Sequence, residues 1–170
     1  MTTSEVVETR RPVDLVRDVF ERVLNQRDAD ALLPYWAEDL VEEFPVGIYR
    51  GRKAVRDYFA ETFAAIPDFH IEVRTIVGEG EKVFVRWHVS GTFSGARWMG
   101  IDATGAKIEL DGIDCFTIRN GQVVENFVVF DQLSFARQIG MMPPHRSAMD
   151  RAMTAAFNLR TRLKRRVAVG

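Results

Sequence analysis

The sequence predicts an α+β fold in which N-terminal helices pack on a curved antiparallel sheet, with an extra helix at the C-terminal end. Apolar residues recur at helical spacing through much of the first 65 residues. From residue 69 to residue 131, apolar and polar residues mostly alternate, as they do in half-buried strands. Because the helices come before these strands rather than alternating with them, a parallel βαβ sheet is excluded.

Composition limits the class of protein before any motif is considered. A chain of 170 residues is expected to form one main domain. Its formal net charge of −1 provides no global field for nucleic acid, and no stretch is apolar enough for a membrane span. The single cysteine, Cys115, excludes an intrachain disulfide. Together with the lack of a signal-like apolar segment at the start, it favours a cytoplasmic location.

Charge divides the chain into unequal parts. From His145 onward there are seven Lys or Arg residues and one acid, which leaves 16 basic and 23 acidic residues in 1–144, a net charge of −7 there. We therefore predict a flexible tail at 1–12, a main domain at 13–144 and a basic amphipathic helix at 145–170. The apolar stripe of that last helix is expected to pack on the acidic body or on a partner copy.

Helical spacing predicts three elements in the N-terminal part. The first begins at Val13, after Pro12, a residue that is favourable in a first helical turn. It ends near residues 25–28. A short helix is predicted for residues 29–36, and a third for residues 53–65, where Pro67 stops it.

The strand predictions follow from alternation and from turn residues. A strand at residues 40–44 is ended by Pro45 and Gly47. Asn120-Gly121 separates the last two strands and is the strongest short signal for a hairpin. The later strands are predicted at residues 69–77, 83–93, 107–119 and 122–131. Residues 95–105 form a loop, followed at the C-terminal end by helices at 133–139 and 146–166.

Two segments resemble a known family. They are VEEFPVGIYRGRKAVRDYF at 41–59 and MGIDATGAKIELDGIDCFTIRNGQVVENFVVFDQLSFARQIG at 99–140. Both resemble the SnoaL-like proteins of the nuclear transport factor 2-like superfamily, also called ketosteroid isomerase-like, over about residues 13–141. The resemblance implies a cystatin-like cone, a pocket between the inner sheet face and the helices, and a homodimer through the outer sheet face. This fold carries many unrelated functions.

The resemblance also assigns site positions one residue at a time. Asp114 matches the isomerase carboxylic acid that stays protonated and donates to an oxyanion. The isomerase base falls on Phe44, directly before Pro45, so that base is absent here. The helix-one tyrosine of the isomerases falls on Phe20, and the base of the polyketide cyclases falls on Val128. Neither reaction can therefore be transferred whole.

The residues themselves leave alternatives open for each polar candidate. Asp114 in an apolar pocket would have a raised pKa and could act as proton donor or base; as a structural residue it would bind a tyrosine, an arginine or a backbone amide. Glu42, on the face of Phe44, could replace the missing base or be solvated. Asn126 could bind a ligand carbonyl or lie exposed at the strand end.

A hydrophobic ligand is expected to meet a mostly aromatic lining. Three scattered histidines lack metal-ligand spacing, so we predict no metal and no cofactor. His88 is expected on the sheet face opposite Trp87, and Asp131 is expected to cap the helix that follows it. The predicted ligand-contacting residues are Phe20, Phe44, Tyr58, Trp87, Trp98, Met99, Phe116 and Val128.

Two functions fit these observations. The first is a small cofactor-independent enzyme that transfers protons in a hydrophobic ring-containing or polyketide-like molecule, by isomerisation, cyclisation or dehydration. The second is a non-catalytic binding protein for a hydrophobic small molecule. Retention of Asp114 favours the enzyme, whereas loss of the usual bases at Phe44 and Val128 favours the binding protein.

Overall fold

A computed structural model describes residues 10–167, so residues 1–9 of the predicted tail and residues 168–170 of the predicted C-terminal helix lie outside the described residues. Four α-helices and six strands form the described part. The helices are α1 (Pro12–Asp18), α2 (Arg52–Ala65), α3 (Gln132–Gln138) and α4 (Ala148–Val167), and the strands are β1 (Trp36–Phe44), β2 (Gly47–Arg50), β3 (His70–Glu79), β4 (Lys82–Phe93), β5 (Ala106–Arg119) and β6 (Gln122–Phe130).

The six strands form one open sheet in the order β2-β1-β6-β5-β4-β3. This arrangement confirms the α+β class. One feature differs from the expectation of an antiparallel sheet, because β1 pairs with β6 in parallel while the other neighbours are antiparallel. β1 lies far from the hairpin strands in sequence, so its direction was not contained in any local turn signal.

The N-terminal helical segment changes geometry along its length. α1 continues into one π-helical turn at Val19–Val23 and then a 3₁₀ turn at Leu24–Gln26. Arg27 ends the segment in the left-handed conformation, with φ of 56°. π-helical turns of this kind often lie at functional sites, and this one carries Phe20 onto the inner face of the fold.

One predicted element was wrong, and one strand was not predicted. Residues predicted as a helix at 29–36 form a 3₁₀ turn at Asp30–Tyr35, and Trp36 already belongs to β1. Pro34 lies inside this turn, and its ring removes the backbone donor that a continuing α-helix needs. β2 was not predicted, because its four residues follow Pro45 too closely to show an alternating pattern.

The inner sheet face and the helices enclose the hydrophobic core. On β4, Val83, Val85 and Val89 point inward and are at most 8% exposed, whereas Phe84 on the opposite face is 48% exposed. The alternation predicted for this strand is therefore confirmed. The N-terminal helical segment, the 3₁₀ turn and α2 contribute further wholly buried side chains, among them Leu32 and Val55.

A buried acid ties the N-terminal helix to the rest of the fold. Asp18 is 7% exposed, accepts a hydrogen bond from the Tyr35 hydroxyl at 3.0 Å, and pairs with Arg10 and Arg22. These donors, led by Arg22, lower the pKa of Asp18 to about 2 despite its burial. All of its partners are accounted for, so we assign Asp18 a structural role.

The C-terminal end contains two helices with different environments. Asp131 caps α3 as predicted, since its side chain accepts a hydrogen bond from the Ser134 backbone N–H at 2.9 Å. The apolar side chains of α4 are exposed, so its stripe does not pack on the described part of its own body, and packing on a partner copy stays a prediction. No helix among residues 10–167 combines the length and hydropathy needed to cross a membrane.

Candidate active site

A cavity lies between the inner sheet face, the N-terminal helical segment and α2. Its volume is about 90 Å³, well above the roughly 10–15 Å³ that one water molecule needs. Nearly all of its wall is apolar, and one carboxylate, Asp114, reaches it. The predicted ligand-contacting residues that line it are Phe20, Phe44, Tyr58, Trp87, Trp98 and Val128.

Asp114 lies in the middle of β5 and points to the cavity, with 6% of its surface exposed. Two N–H donors hold its carboxylate. The Trp87 indole Nε1 donates to Oδ1 at 2.7 Å, and the Asn126 amide Nδ2 donates to Oδ2 at 3.0 Å. Both donors are neutral, so no cation of residues 10–167 pairs with this buried acid.

A second buried acid joins the same amide. Asn126 Nδ2 also donates to Glu42 Oε1 at 3.0 Å. The two carboxyl groups are therefore no farther apart than about 6 Å, twice the 3.0 Å that separates each from the shared nitrogen. The parallel register of β1 and β6 brings them together, because it places Glu42 beside Asn126. Glu42 and Asn126 are 2% and 3% exposed and lie behind the cavity wall.

The environments of Asp114 and Glu42 raise the pKa values of the two acids to different extents. Burial raises the pKa of Asp114 to about 6, and the hydrogen bonds from Asn126 and Trp87 limit the rise. Burial raises the pKa of Glu42 to about 8; the hydrogen bond from Asn126 opposes this rise, and the charge of Asp114 adds to it. Both shifts favour the protonated acids, and because the two carboxyl groups share one buried amide, the ionisation of one disfavours the ionisation of the other.

Three buried polar atoms around the site have no partner among the described residues. They are Glu42 Oε2, Asn126 Oδ1 and Trp98 Nε1. Buried polar atoms are normally hydrogen-bonded, and each unpaired one costs about 1–3 kcal/mol. Their concentration around one cavity is typical of a site that completes its hydrogen bonds with water or a ligand.

Aromatic side chains close the cavity. Phe44 stacks on Tyr58 with ring centroids 4.2 Å apart, and Trp98 meets Phe135 edge-on at 5.4 Å. Trp98 comes from the β4–β5 loop, where its backbone bonds to Ile101 in both directions. Trp98 therefore comes from a loop, is only 6% exposed and packs over the cavity.

Two predicted ligand-contacting residues lie elsewhere. Met99 is 48% exposed and, unlike its neighbour Trp98, does not line the cavity. Phe116 is buried but packs edge-on against Phe20 at 5.9 Å, outside the cavity wall. We therefore do not include either residue in the proposed ligand-contacting set.

The remaining titratable candidates are remote from the cavity. His88 lies on the outer sheet face, as predicted, with Nδ1 3.5 Å from Asp111 Oδ1. Between residues 10 and 167, no three His, Cys, Asp or Glu side chains lie together in a way that could hold a metal ion.

Part of the cavity wall was not predicted from the sequence. Leu110 and Phe130 follow the same inward alternation as Asp114 and Val128, so that pattern could have identified them. Phe135 could not have been assigned, because its position depends on how α3 folds back over the sheet. The lining residues not predicted are Leu24, Phe59, Thr62, Ile66, Phe69, Ile71, Val89, Ile108, Leu110, Phe130 and Phe135.

Gly112 positions the Trp87 indole over the sheet. The two residues are paired on β5 and β4, and a Cβ atom at Gly112 would lie only 2.1 Å from Cζ2 of Trp87. We expect Gly112→Ala to displace the indole, weaken its hydrogen bond to Asp114 and lower the free energy of unfolding by about 1–3 kcal/mol. Urea denaturation measures this change.

A double-mutant cycle is the control for this prediction. In a Trp87→Leu background the indole is gone, so Gly112→Ala should cost much less than it does in the natural chain. Equal costs in the two backgrounds would contradict the proposed steric role of Gly112.

A comparison with known protein families identifies the family of most of the chain. A model of SnoaL-like polyketide cyclases matches residues 14–139, which confirms the predicted family resemblance. No curated protein sequence matches the chain significantly. α4 lies beyond the matched range.

Solved structures support the fold. A proposed SnoaL-like polyketide cyclase from Jannaschia sp. CCS1 is 21% identical, with 78% of this chain and 93% of that chain covered and a TM-score of 0.70. IdmH from Streptomyces antibioticus, a proposed polyketide cyclase, is 26% identical over 77% of this chain and 99% of its own, with a TM-score of 0.65. A cystatin-fold protein from Novosphingobium aromaticivorans is 19% identical over 71% and 98%, with a TM-score of 0.58.

Proposed function

Since the chain belongs to the SnoaL-like polyketide cyclase family, we propose that it is a small cofactor-independent enzyme that transfers a proton in a hydrophobic, ring-containing or polyketide-like molecule. Isomerisation, cyclisation and dehydration all begin with such a transfer. The observation that carries this proposal is the ionisable Asp114 on the wall of an apolar cavity, with a second buried acid on the same amide.

Asp114 is the group that meets the ligand in this mechanism. With a pKa of about 6, it is largely ionised at neutral pH and remains more basic than an ordinary aspartate. A carbon acid in the cavity would lose its proton to Asp114. The resulting carbanion would then take a proton at another atom, or attack a carbonyl carbon to close a ring.

Glu42 and Asn126 act through Asp114 rather than on the ligand. Asn126 fixes the carboxylate with one hydrogen bond and holds Glu42 with another. As long as Glu42 is protonated, the site carries a single negative charge. Ionisation of Glu42 would place a second negative charge beside Asp114 at the same buried amide, and a site of low dielectric disfavours two such charges.

A binding protein for a hydrophobic small molecule remains the second candidate. It is favoured by the apolar character of the lining, in which Phe44 and Val128 replace the bases of the related enzymes. In this alternative, Asp114 serves the structure by satisfying the Trp87 indole N–H.

We also propose a cytoplasmic location, because the single cysteine, Cys115, fits a reducing compartment.

The pH dependence of a simple proton abstraction tests the enzyme proposal. The probe is 5-nitrobenzisoxazole: removal of its ring C–H proton breaks the N–O bond and gives a coloured cyanophenolate. We expect the second-order rate constant with the protein to rise through about pH 6 and to level off near pH 7, because ionised Asp114 is the base. Absorbance measurements from pH 4.5 to pH 7.5 give this profile.

Asp111→Asn is the matched control for this profile. Asp111 lies three residues before Asp114 on β5 but on the outer face, with its side chain 59% exposed. The variant should retain both the rate and the rise near pH 6. A rate no higher than that of an equal concentration of acetate, or one without a rise in this range, would favour the binding protein.

A further inference from the structure

α4 is an amphipathic helix with one broad apolar side. Met149, Ala156 and Leu163 follow one another at intervals of seven residues, or about two turns, so they lie along one line of the helix. Other large apolar side chains flank this line on both sides, and the whole set covers an arc of about 160°. We call this set the apolar face of α4: Met149, Met153, Phe157, Leu159 and Leu163.

The apolar face of α4 is uncovered along its whole length. Its five side chains are between 47% and 67% exposed, and every residue from Arg151 to Arg160 is exposed. Single apolar side chains at a surface are ordinary, but five on one face of one helix form a contiguous patch. Such a patch indicates a surface that makes contact with a protein or a membrane.

The charge of α4 is positive and is not neutralised within the chain. Six Lys or Arg residues and one acid, Asp150, give Ala148–Val167 a net charge of +5. Asp150 pairs with Arg137 at 3.7 Å and with His145 at 3.9 Å, and it accepts a hydrogen bond from the Arg146 backbone N–H at 2.8 Å. No cation of α4 whose side chain the structure describes forms an ion pair with an acid.

Most of the cations lie at the C-terminal end of α4. Residues 160–167 contain no acid and five cations: Arg160, Arg162, Lys164, Arg165 and Arg166. Arg160 and Lys164 fall on the apolar side, where their long stems can lie along an apolar surface while the charged ends reach its polar boundary. The end of the apolar face is therefore surrounded by positive charge.

The cationic end is remote from the base that joins α4 to the acidic body. Residues 1–144 carry a net charge of −7, but Arg160 lies 12 residue steps, or about 18 Å, along the helix from Ala148. The Debye length at physiological ionic strength is about 8 Å. Acidic groups at the base therefore oppose the attraction of these cations to an anionic surface only weakly.

The apolar face and the positive charge together select one kind of partner. Nucleic acid would neutralise the cations but would leave the apolar face in water. A second α4 packed on the same face would bury it, but it would bring together two segments that each carry a net charge of +5. An anionic lipid surface satisfies both features, because its acyl chains accept apolar side chains and its headgroups accept cations.

We propose that α4 docks this protein on the surface of an anionic membrane. The helix lies in the plane of the interface, with its apolar face toward the acyl chains and Arg160, Arg162 and Lys164 at the anionic groups of the lipids. The contact goes beyond the proposed reaction and is independent of it, since no residue of α4 lines the cavity. α4 also lies outside residues 14–139, which match the family model.

Co-sedimentation of the full chain with lipid vesicles tests the proposal. We expect at least about tenfold stronger partitioning into vesicles of equal amounts of phosphatidylcholine and phosphatidylserine than into phosphatidylcholine alone, because each Lys or Arg near an anionic surface contributes about fivefold. Phe157→Gln should weaken binding to the mixed vesicles about tenfold, because it removes one apolar side chain from the contact. Thr154→Gln, on the polar side of α4, is the matched control and should change binding less than about twofold.

Removal of charge tests the cations separately. Arg162→Gln combined with Lys164→Gln should weaken binding to the mixed vesicles about tenfold or more, and should change binding to phosphatidylcholine alone by less than about twofold. All of the substituted side chains are at least partly exposed, and far-UV circular dichroism verifies that each variant keeps its helices.

Several outcomes would overturn the proposal. They are no binding of the natural chain to the mixed vesicles, equal binding to phosphatidylcholine alone, and binding of Phe157→Gln as strong as that of the natural chain. Without vesicle binding, a duplex DNA that the natural chain and Phe157→Gln bind equally would favour nucleic acid instead. Without vesicle binding, a dimer in sedimentation equilibrium that Phe157→Gln dissociates would favour a second copy.

Discussion

Asp114→Asn is expected to lower the rate of 5-nitrobenzisoxazole ring opening by about 10²–10⁴-fold, the range over which one acid–base group contributes to catalysis. The asparagine keeps the shape of the side chain and can still accept the hydrogen bond that Trp87 donates at 2.7 Å. It has no basic oxygen for the proton. The cavity should therefore persist while the reaction is lost.

Ligand affinity separates a catalytic role from a structural one. Affinity for 1-anilinonaphthalene-8-sulfonate, a fluorescent probe of apolar cavities, should change less than about threefold in Asp114→Asn, because the lining is otherwise unchanged. Loss of both affinity and rate would indicate a collapsed cavity. A rate equal to that of the natural chain would end the assignment of Asp114 as the base.

Glu42→Gln distinguishes the two acids. Because Glu42 is protonated below about pH 8, its replacement by a neutral amide leaves the charge of the site unchanged at pH 6. We expect this variant to retain the rise in rate near pH 6 that Asp114→Asn loses. If it lost the rise instead, Glu42 would be the base and Asp114 its partner.

We also expect the free energy of unfolding to fall as the pH rises from about 4 to about 8. The pKa of Asp114 is raised from 3.8 to about 6 on folding, and that of Glu42 from 4.5 to about 8. A group whose pKa is higher in the folded state contributes its stability fully below the unfolded pKa and loses it as the pH passes the folded pKa. Both acids therefore destabilise the fold as they ionise.

Glu42 should account for most of this fall above pH 6. One pKa unit corresponds to about 1.4 kcal/mol, so its ionisation lowers the free energy of unfolding by about 3 kcal/mol or more by pH 8.5. Glu42→Gln should remove that dependence and make the protein more stable than the natural chain at pH 8.5. Urea denaturation at pH 5, 7 and 8.5 measures the difference.

Asp39→Asn is the control, because Asp39 lies three residues before Glu42 on β1 and is exposed. It should not alter the pH dependence of stability. Parallel curves for Glu42→Gln and the natural chain between pH 5 and pH 8.5 would contradict a raised pKa at Glu42.

Local pattern was sufficient for most of the architecture. Alternation placed Asp114 and Trp87 on the inner face of the sheet and Phe84 and His88 on the outer face, because side chains along a strand point to opposite sides in turn. Asn120-Gly121 fixed the hairpin of β5 and β6 through its positive φ angles of 50° and 74°. The residues around Pro34 were wrongly predicted as an α-helix, because apolar spacing alone does not show that proline lacks the backbone N–H donor.

The sequence by itself determined the family, the α+β class and an inward-facing carboxylate at position 114, because each depends on residues close together along the chain. Only the tertiary structure decided that Glu42 and Asp114 share one amide, since that contact requires the parallel pairing of β1 with β6 across more than 70 residues. The tertiary structure also places Met99 outside the cavity wall and leaves the apolar stripe of α4 exposed. Long-range register and the direction of a helix leaving its neighbour are set by packing, and no local propensity encodes them.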